Sequence, residues 1–154
     1  LEVQKSPCDL HDVIRTAVMA LRDMPGVRLE EQHEPLPKLA LDAPQIESVV
    51  TNLLFNARDA LNGTGLLHVQ TERRGRWAVL TVSDNGCGMT PEFLASHLFK
   101  PFQTTKKNGL GIGMFQARTI VEAHGGRIDV QSKAGQGSSF RVWLPLPSGG
   151  ESAI

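Results

Sequence analysis

The sequence predicts one compact domain of mixed α/β class, and three observations carry that reading. The chain has 154 residues, enough for one substantial core and too few for two comfortable ones. Residues 9–24 repeat apolar side chains at helical spacing, whereas later stretches alternate or run apolar as paired strands do. Apolar residues make up 40% and charged residues 21%, a balance that suits a globular chain and not a disordered one.

Taken in order, the first helix runs from Asp9 to Met24. Leu10, Val13, Ile14, Ala17, Val18 and Leu21 form its apolar stripe, Asp9 is its N-cap, and Pro25-Gly26 stops it. Extended stretches follow at Val27–Glu30 and Lys38–Leu41. A second helix spans Ala43 to Asn62, with Pro44 in its first turn. Leu66–Glu72 and Trp77–Ser83 read as strands joined by a turn at Gly75. A glycine-rich stretch, Gly109–Gly113, opens a helix to about His124. Gly126–Ser132 and Ser138–Leu144 form a last strand pair around Ala134-Gly135-Gln136-Gly137. The domain is expected over residues 1–147, with 148–154 a frayed tail.

Composition narrows the function. Sixteen basic and sixteen acidic residues cancel, which removes the electrostatic case for a nucleic-acid or anionic membrane surface. Two tryptophans and no tyrosine leave few platforms for base stacking. No apolar run is long enough for a membrane span and no signal peptide is read at the start, so a cytoplasmic setting is expected. Cys8 and Cys87 make neither a disulfide framework nor a spaced metal site.

Four constellations carry chemistry. On the second helix, Ile46, Val50, Leu53, Ala57 and Leu61 share one side, while Ser48, Asn52, Asn56 and Asp59 share another. That polar stripe reads as a solvated face or as a source of amide oxygens, which are hard neutral ligands for Mg²⁺. Directly after a strand comes Asp84-Asn85-Gly86-Cys87-Gly88-Met89, a turn whose glycines let backbone approach a neighbour closely. Leu98 to Asn108 reads as a long loop with Phe99 and Phe102 as anchors. Gly109-Leu110-Gly111-Ile112-Gly113 bares backbone N–H groups at a helix start, a ready phosphate cradle. Its spacing is neither a dinucleotide fingerprint nor a Walker A loop.

In this order and spacing the four resemble the N, G1, F and G2 boxes of the ATP-binding catalytic domain of sensor histidine kinases, within the GHKL superfamily. Asn52-Leu53-Leu54-Phe55-Asn56-Ala57-Arg58-Asp59-Ala60 is similar to the N box and Asp84–Met89 to the G1 box. Phe99–Phe102 resembles the F box and Gly109–Gly113 the G2 box. The wording Pro101-Phe102-Gln103-Thr104-Thr105-Lys106 is closer to the nitrogen-regulator type than to the osmosensor type. The resemblance implies an α/β two-layer sandwich, the Bergerat fold, with a mixed sheet of about five main strands and three helices on one face.

It also implies transfer of the γ-phosphoryl of Mg²⁺–ATP to a histidine. Asn56 would coordinate Mg²⁺ and Asn52 would lie near the phosphates. Asp84 would accept from the adenine amino group, and Gly86 and Gly88 would let backbone pass beside the base. Lys106 could reach a phosphate, and Gly109, Leu110, Gly111, Ile112 and Gly113 would close a lid over the triphosphate. The stretch Lys100–Leu110 is expected to be mobile without nucleotide. Ser138 stands where relatives often reach adenine through water. Many relatives carry Lys or Arg three residues after the metal-binding Asn, where this chain has Asp59, so Asp59 and Arg58 are left out of the binding set.

His11, His33, His68, His97 and His124 are all read as surface or capping residues, with His33 in a loop. The acceptor would then lie upstream, on dimerisation helices of a homodimeric parent protein, with Leu1–Pro7 the trailing edge of that segment. A downstream response regulator would take the phosphoryl group, and the isolated domain would be monomeric. The nearest rival is an ATP-hydrolysing relative of the gyrase, mismatch-repair or heat-shock kind. Those hold a water-activating glutamate where this chain has Asn52, and an amide is no base near neutral pH. A second rival is a degenerate, non-catalytic module that docks a partner.

Overall fold

The computed structural model of the chain describes residues 2–21, 24–92 and 113–147. In chain order the elements are β1 (Ser6–Cys8), α1 (Leu10–Met19), β2 (Val27–His33), β3 (Leu39–Leu41), α2 (Ala43–Leu61), β4 (Gly65–Arg74) and β5 (Trp77–Asp84). They continue with α3 (Gly113–Ala123), β6 (Arg127–Lys133) and β7 (Gly137–Pro145). The main sheet has five strands in the order β2-β4-β5-β7-β6. It is mixed: β2 runs parallel to β4, and the other neighbours are antiparallel.

Alternation decides which face of the sheet is covered. Leu67 and Val69 of β4, Ala78, Leu80 and Val82 of β5, and Phe140, Val142 and Leu144 of β7 all enter one core. The apolar stripes of α1, α2 and α3 fill the other side of that core, so the described helices lie on one face as expected. The architecture is a two-layer α/β sandwich.

Local chemistry sets the ends of the helices. The Asp9 carboxylate accepts from the His11 N–H at 2.8 Å, capping α1. This helix ends at Met19, well short of Met24. The N–H groups of Ala20 and Leu21 turn back to the carbonyls of Ala17 and Val18, a tighter turn that still buries Leu21. Helix α2 starts at an Asp42 cap and stops at Asn62, which sits in the left-handed region at φ +56° instead of extending the helix.

Three differences from the sequence reading concern elements built by tertiary pairing. Ser6 and Pro7, expected as the edge of a preceding segment, belong with Cys8 to β1, which pairs antiparallel with β3. Consequently Leu39–Leu41 lies in this small second sheet and not in the main one. His33 is no loop residue; it closes β2, in register with Thr71 of β4.

Candidate nucleotide-binding site

At the ends of β5, β7 and β6 the register sets three polar residues in one rung. Asp84 lies opposite Ser138, and Ser138 opposite Ser132. All share the face that carries the core residues Val82 and Phe140 one alternation away, so the rung continues the helix-facing side of the sheet. Beside the rung lies an open cleft of about 290 Å³, lined by Asp84, Ser132 and Ser138 together with Gln131, Lys133 and Ser139.

Among the described residues Asp84 is the only carboxylate in that lining, and it is half-buried. Burial raises its pKa from the ordinary carboxylate value, while the N–H groups of Gly86 and Ser138 donate to it and pull the other way. The Gly86 bond is 2.9 Å. Among the described residues no cation pairs with Asp84, so its remaining acceptor capacity faces the cleft.

The segment after Asp84 is sewn to its surroundings through backbone groups. Asn85 Oδ1 accepts from the Leu66 N–H at 2.8 Å, and the Cys87 N–H reaches the Ala60 carbonyl of α2 at 3.1 Å. The Gly135 N–H donates to the Cys87 carbonyl at 2.6 Å, and the Met89 N–H donates to Ser132 Oγ at 2.8 Å. These contacts give the glycines a packing reason of their own. A Cβ on Gly86 would collide with the Ala60 carbonyl, and one on Gly88, at φ +68°, with the Lys133 carbonyl. The glycines let this loop touch α2 and the β6–β7 turn. Cys87 is exposed and unpaired with the other cysteine.

Helix α2 supplies the asparagines. Asn52 Nδ2 donates to the Gly113 carbonyl at 3.2 Å, which ties α2 to the first turn of α3. Asn56, one turn further along, is half-buried, and its amide has no hydrogen-bond partner among the described residues. Arg58 stacks over the Phe55 ring at 4.4 Å and pairs with Asp59 at 3.2 Å. Lys106, Gly109, Leu110, Gly111 and Ile112, together with Phe99–Phe102, lie outside the described residues.

The far end of α3 is locked by a residue read from the sequence as a surface or capping histidine; it caps the helix and is buried. His124 is 1% exposed. Its Nδ1 donates to the Ile120 carbonyl at 2.8 Å, and its Nε2 accepts from the Asp42 N–H at 3.0 Å. One ring therefore closes α3 and holds it to the start of α2. His33 sits in a strand with its ring bonded to Thr71 and Glu31. Ser132 and Asn85 were also missed as binding-loop supports.

A family model for histidine kinase-, DNA gyrase B- and HSP90-like ATPases matches residues 41–148, from β3 to beyond β7. The chain belongs to this ATPase family. The match spans both asparagines, the Asp84 rung and the glycine-bearing loops. Among curated relatives, the alginate biosynthesis sensor protein KinB of Pseudomonas aeruginosa is 36% identical over 151 residues, covering 94% of this chain and 25% of its own length. Sensor histidine kinase ZraS of Escherichia coli is 36% identical over 114 residues, covering 74% of this chain and 24% of its own. The chain thus spans about a quarter of the length of these relatives. The solved mycobacterial sensor histidine kinase MprB shares the fold, with a TM-score of 0.84 at 23% identity over 93% of this chain and 98% of that one. No helix among the described residues is long and apolar enough to cross a membrane.

Proposed function

We propose that this domain binds Mg²⁺–ATP and transfers the γ-phosphoryl group to a histidine on the dimerisation helices of its parent protein. The observation that carries the reading is the half-buried Asp84 carboxylate, held by two backbone N–H groups and free of any cation among the described residues. Such a group is an acceptor for the amino edge of adenine. Guanine presents a carbonyl at the same place, and a carboxylate facing it leaves both acceptors unpaired.

The asparagines divide the remaining work. Asn56 offers a neutral amide oxygen with no competing partner among the described residues, a donor that fits Mg²⁺ and leaves room for its waters and phosphate oxygens. When bound, Mg²⁺ neutralises charge on the β- and γ-phosphates. Asn52 occupies the place of the hydrolytic relatives' base, and its amide donates to the Gly113 carbonyl. It orients the start of α3 and takes no proton from water, which favours transfer over hydrolysis. A neutral imidazole nitrogen of the acceptor supplies the electron pair, and the bond from the γ-phosphorus to the ADP oxygen breaks. Lys106, Gly109, Leu110, Gly111, Ile112 and Gly113 are assigned to the phosphates, and Ser138 to the base. The relatives' greater length supports a parent in which this domain works beside phosphoacceptor helices, on the cytoplasmic side, with a response regulator receiving the phosphoryl group.

Calorimetric titration of the chain with nucleotides tests this. ATP and ADP should bind in the presence of Mg²⁺ and GTP poorly. Equal affinity for ATP and GTP would remove Asp84 from the role given to it.

A further inference from the structure

Ser132 is assigned no role by the resemblance, yet three polar atoms converge on its hydroxyl. The Met89 N–H lies at 2.8 Å, the Gly137 carbonyl at 3.1 Å and Ser138 Oγ at 2.7 Å. A serine hydroxyl has one hydrogen to give and two lone pairs to receive. The Gly137 carbonyl can only accept, so for all three contacts to be hydrogen bonds at once the Ser132 hydrogen goes there. The Met89 N–H can only donate, so it takes one lone pair. The remaining lone pair faces Ser138, so the arrangement that satisfies all three contacts together makes the Ser138 hydroxyl the donor in the 2.7 Å pair.

We propose that Ser132 is a positioning residue for base recognition: by taking the Ser138 hydrogen, it presents Ser138 to the base as an acceptor only. Ser138 is buried and stands directly opposite Asp84 in the strand register, so the floor of the cleft offers two acceptors side by side. An amino group satisfies that floor, directly or through one water that gives it a hydrogen. A 6-carbonyl purine does not, and Ser138 cannot turn to donate to it while Ser132 holds its proton. The inference rests on the reading of this cleft as the adenine site, and goes beyond it by making discrimination depend on a residue that does not touch the base.

The test compares Mg²⁺–ADP with Mg²⁺–IDP, whose hypoxanthine carries the 6-carbonyl, by calorimetry. Wild type should prefer ADP. Ser132→Ala frees the Ser138 hydroxyl to donate, so the preference should narrow by about fivefold, the size of one neutral hydrogen bond. Ser132→Cys, close to isosteric and a poor hydrogen-bonding group, should narrow it similarly if the alanine variant folds badly. Ser132→Thr keeps the hydroxyl and should restore the wild-type ratio. In a Ser138→Ala background, Ser132→Ala should leave the ratio unchanged. A purely structural role, loosening Met89 and its loop, would weaken both nucleotides together and leave the ratio alone. An unchanged ratio in both Ser132→Ala and Ser132→Cys, or a narrowing that persists without the Ser138 hydroxyl, overturns the proposal. A wild type that prefers IDP, or binds neither, removes the adenine site itself and this inference with it.

Discussion

Replacing Asp84 by Asn separates recognition from folding. In the folded chain the carboxylate accepts the N–H groups of Gly86 and Ser138, and burial disfavours its charge. Asparagine keeps one acceptor oxygen but points an NH₂ group either at the Ser138 N–H or at the base, donor against donor. A lost charge-assisted bond to the adenine amino group costs about 1.5–3 kcal/mol, or roughly 10- to 150-fold in Kd. The empty domain should respond differently. Removing a buried charge relieves its desolvation and offsets the weaker bonds to the two N–H groups, so the Tm should stay within about 2 °C of wild type. Calorimetry with Mg²⁺–ADP and a thermal melt without nucleotide read the two effects separately. The pH dependence has a definite sign. Adenine favours the ionised carboxylate, so wild-type affinity should fall as the pH drops through the raised pKa of Asp84, and Asp84→Asn should lack that component. An Asp84→Asn domain that binds ADP as tightly as wild type would refute the assignment.

Gly88→Ala must adopt φ +68° and drive its Cβ into the Lys133 carbonyl. A loss above about 2 kcal/mol, near 4–8 °C in Tm, is expected, whereas Gly75→Ala, at φ +58° with open space around it, should lose less; equal losses would contradict the packing role. His11 has its pKa lowered from 6.5 by burial first and by the neighbouring His33 ring at 5.0 Å, with Arg15 in the same direction and Asp9 and Asp12 opposing. The folded chain disfavours the charged ring, so stability should decline as pH falls below 6.5 through the lowered value. His11→Gln should flatten that decline, and identical slopes would dismiss the histidine pair as its source. Asn56→Ala should abolish the Mg²⁺ dependence of nucleotide binding, measured by titration with and without EDTA. Phosphate release by wild type should stay below about 1 s⁻¹, the low end of ordinary turnover; faster release would mean that another base replaces the missing glutamate at Asn52.

What the sequence made legible follows from periodicity. The stripe of α1, the two faces of α2 and the strands β4, β5, β6 and β7 each repeat over enough residues to show their period, and Asp9 and Pro44 mark helix starts by local chemistry. The missed features depend on partners distant in the chain. Ser6–Cys8 is too short to alternate and becomes a strand because Leu39–Leu41 lies beside it. Glu31, Gln32 and His33 look like loop residues, yet β4 extends their pairing. His124 has no sequence mark of burial, because its two partners are a carbonyl in its own helix and an N–H 82 positions away. The candidate site divides the same way. Asn52, Asn56 and Asp84 stand in recognisable motifs, whereas Ser132 enters through the β6–β7 register and the loop carrying Met89.

Phosphoryl transfer in trans tests the central claim most directly. The chain is incubated with Mg²⁺ and γ-labelled ATP, alone and with the phosphoacceptor helices of its parent protein, and acid-labile, base-stable label is counted. Label should appear on the added helices, depend on Asn56 and Asp84, and be absent from the chain alone. Label on a histidine of this chain, or none on the helices while ATP is bound, would contradict the account.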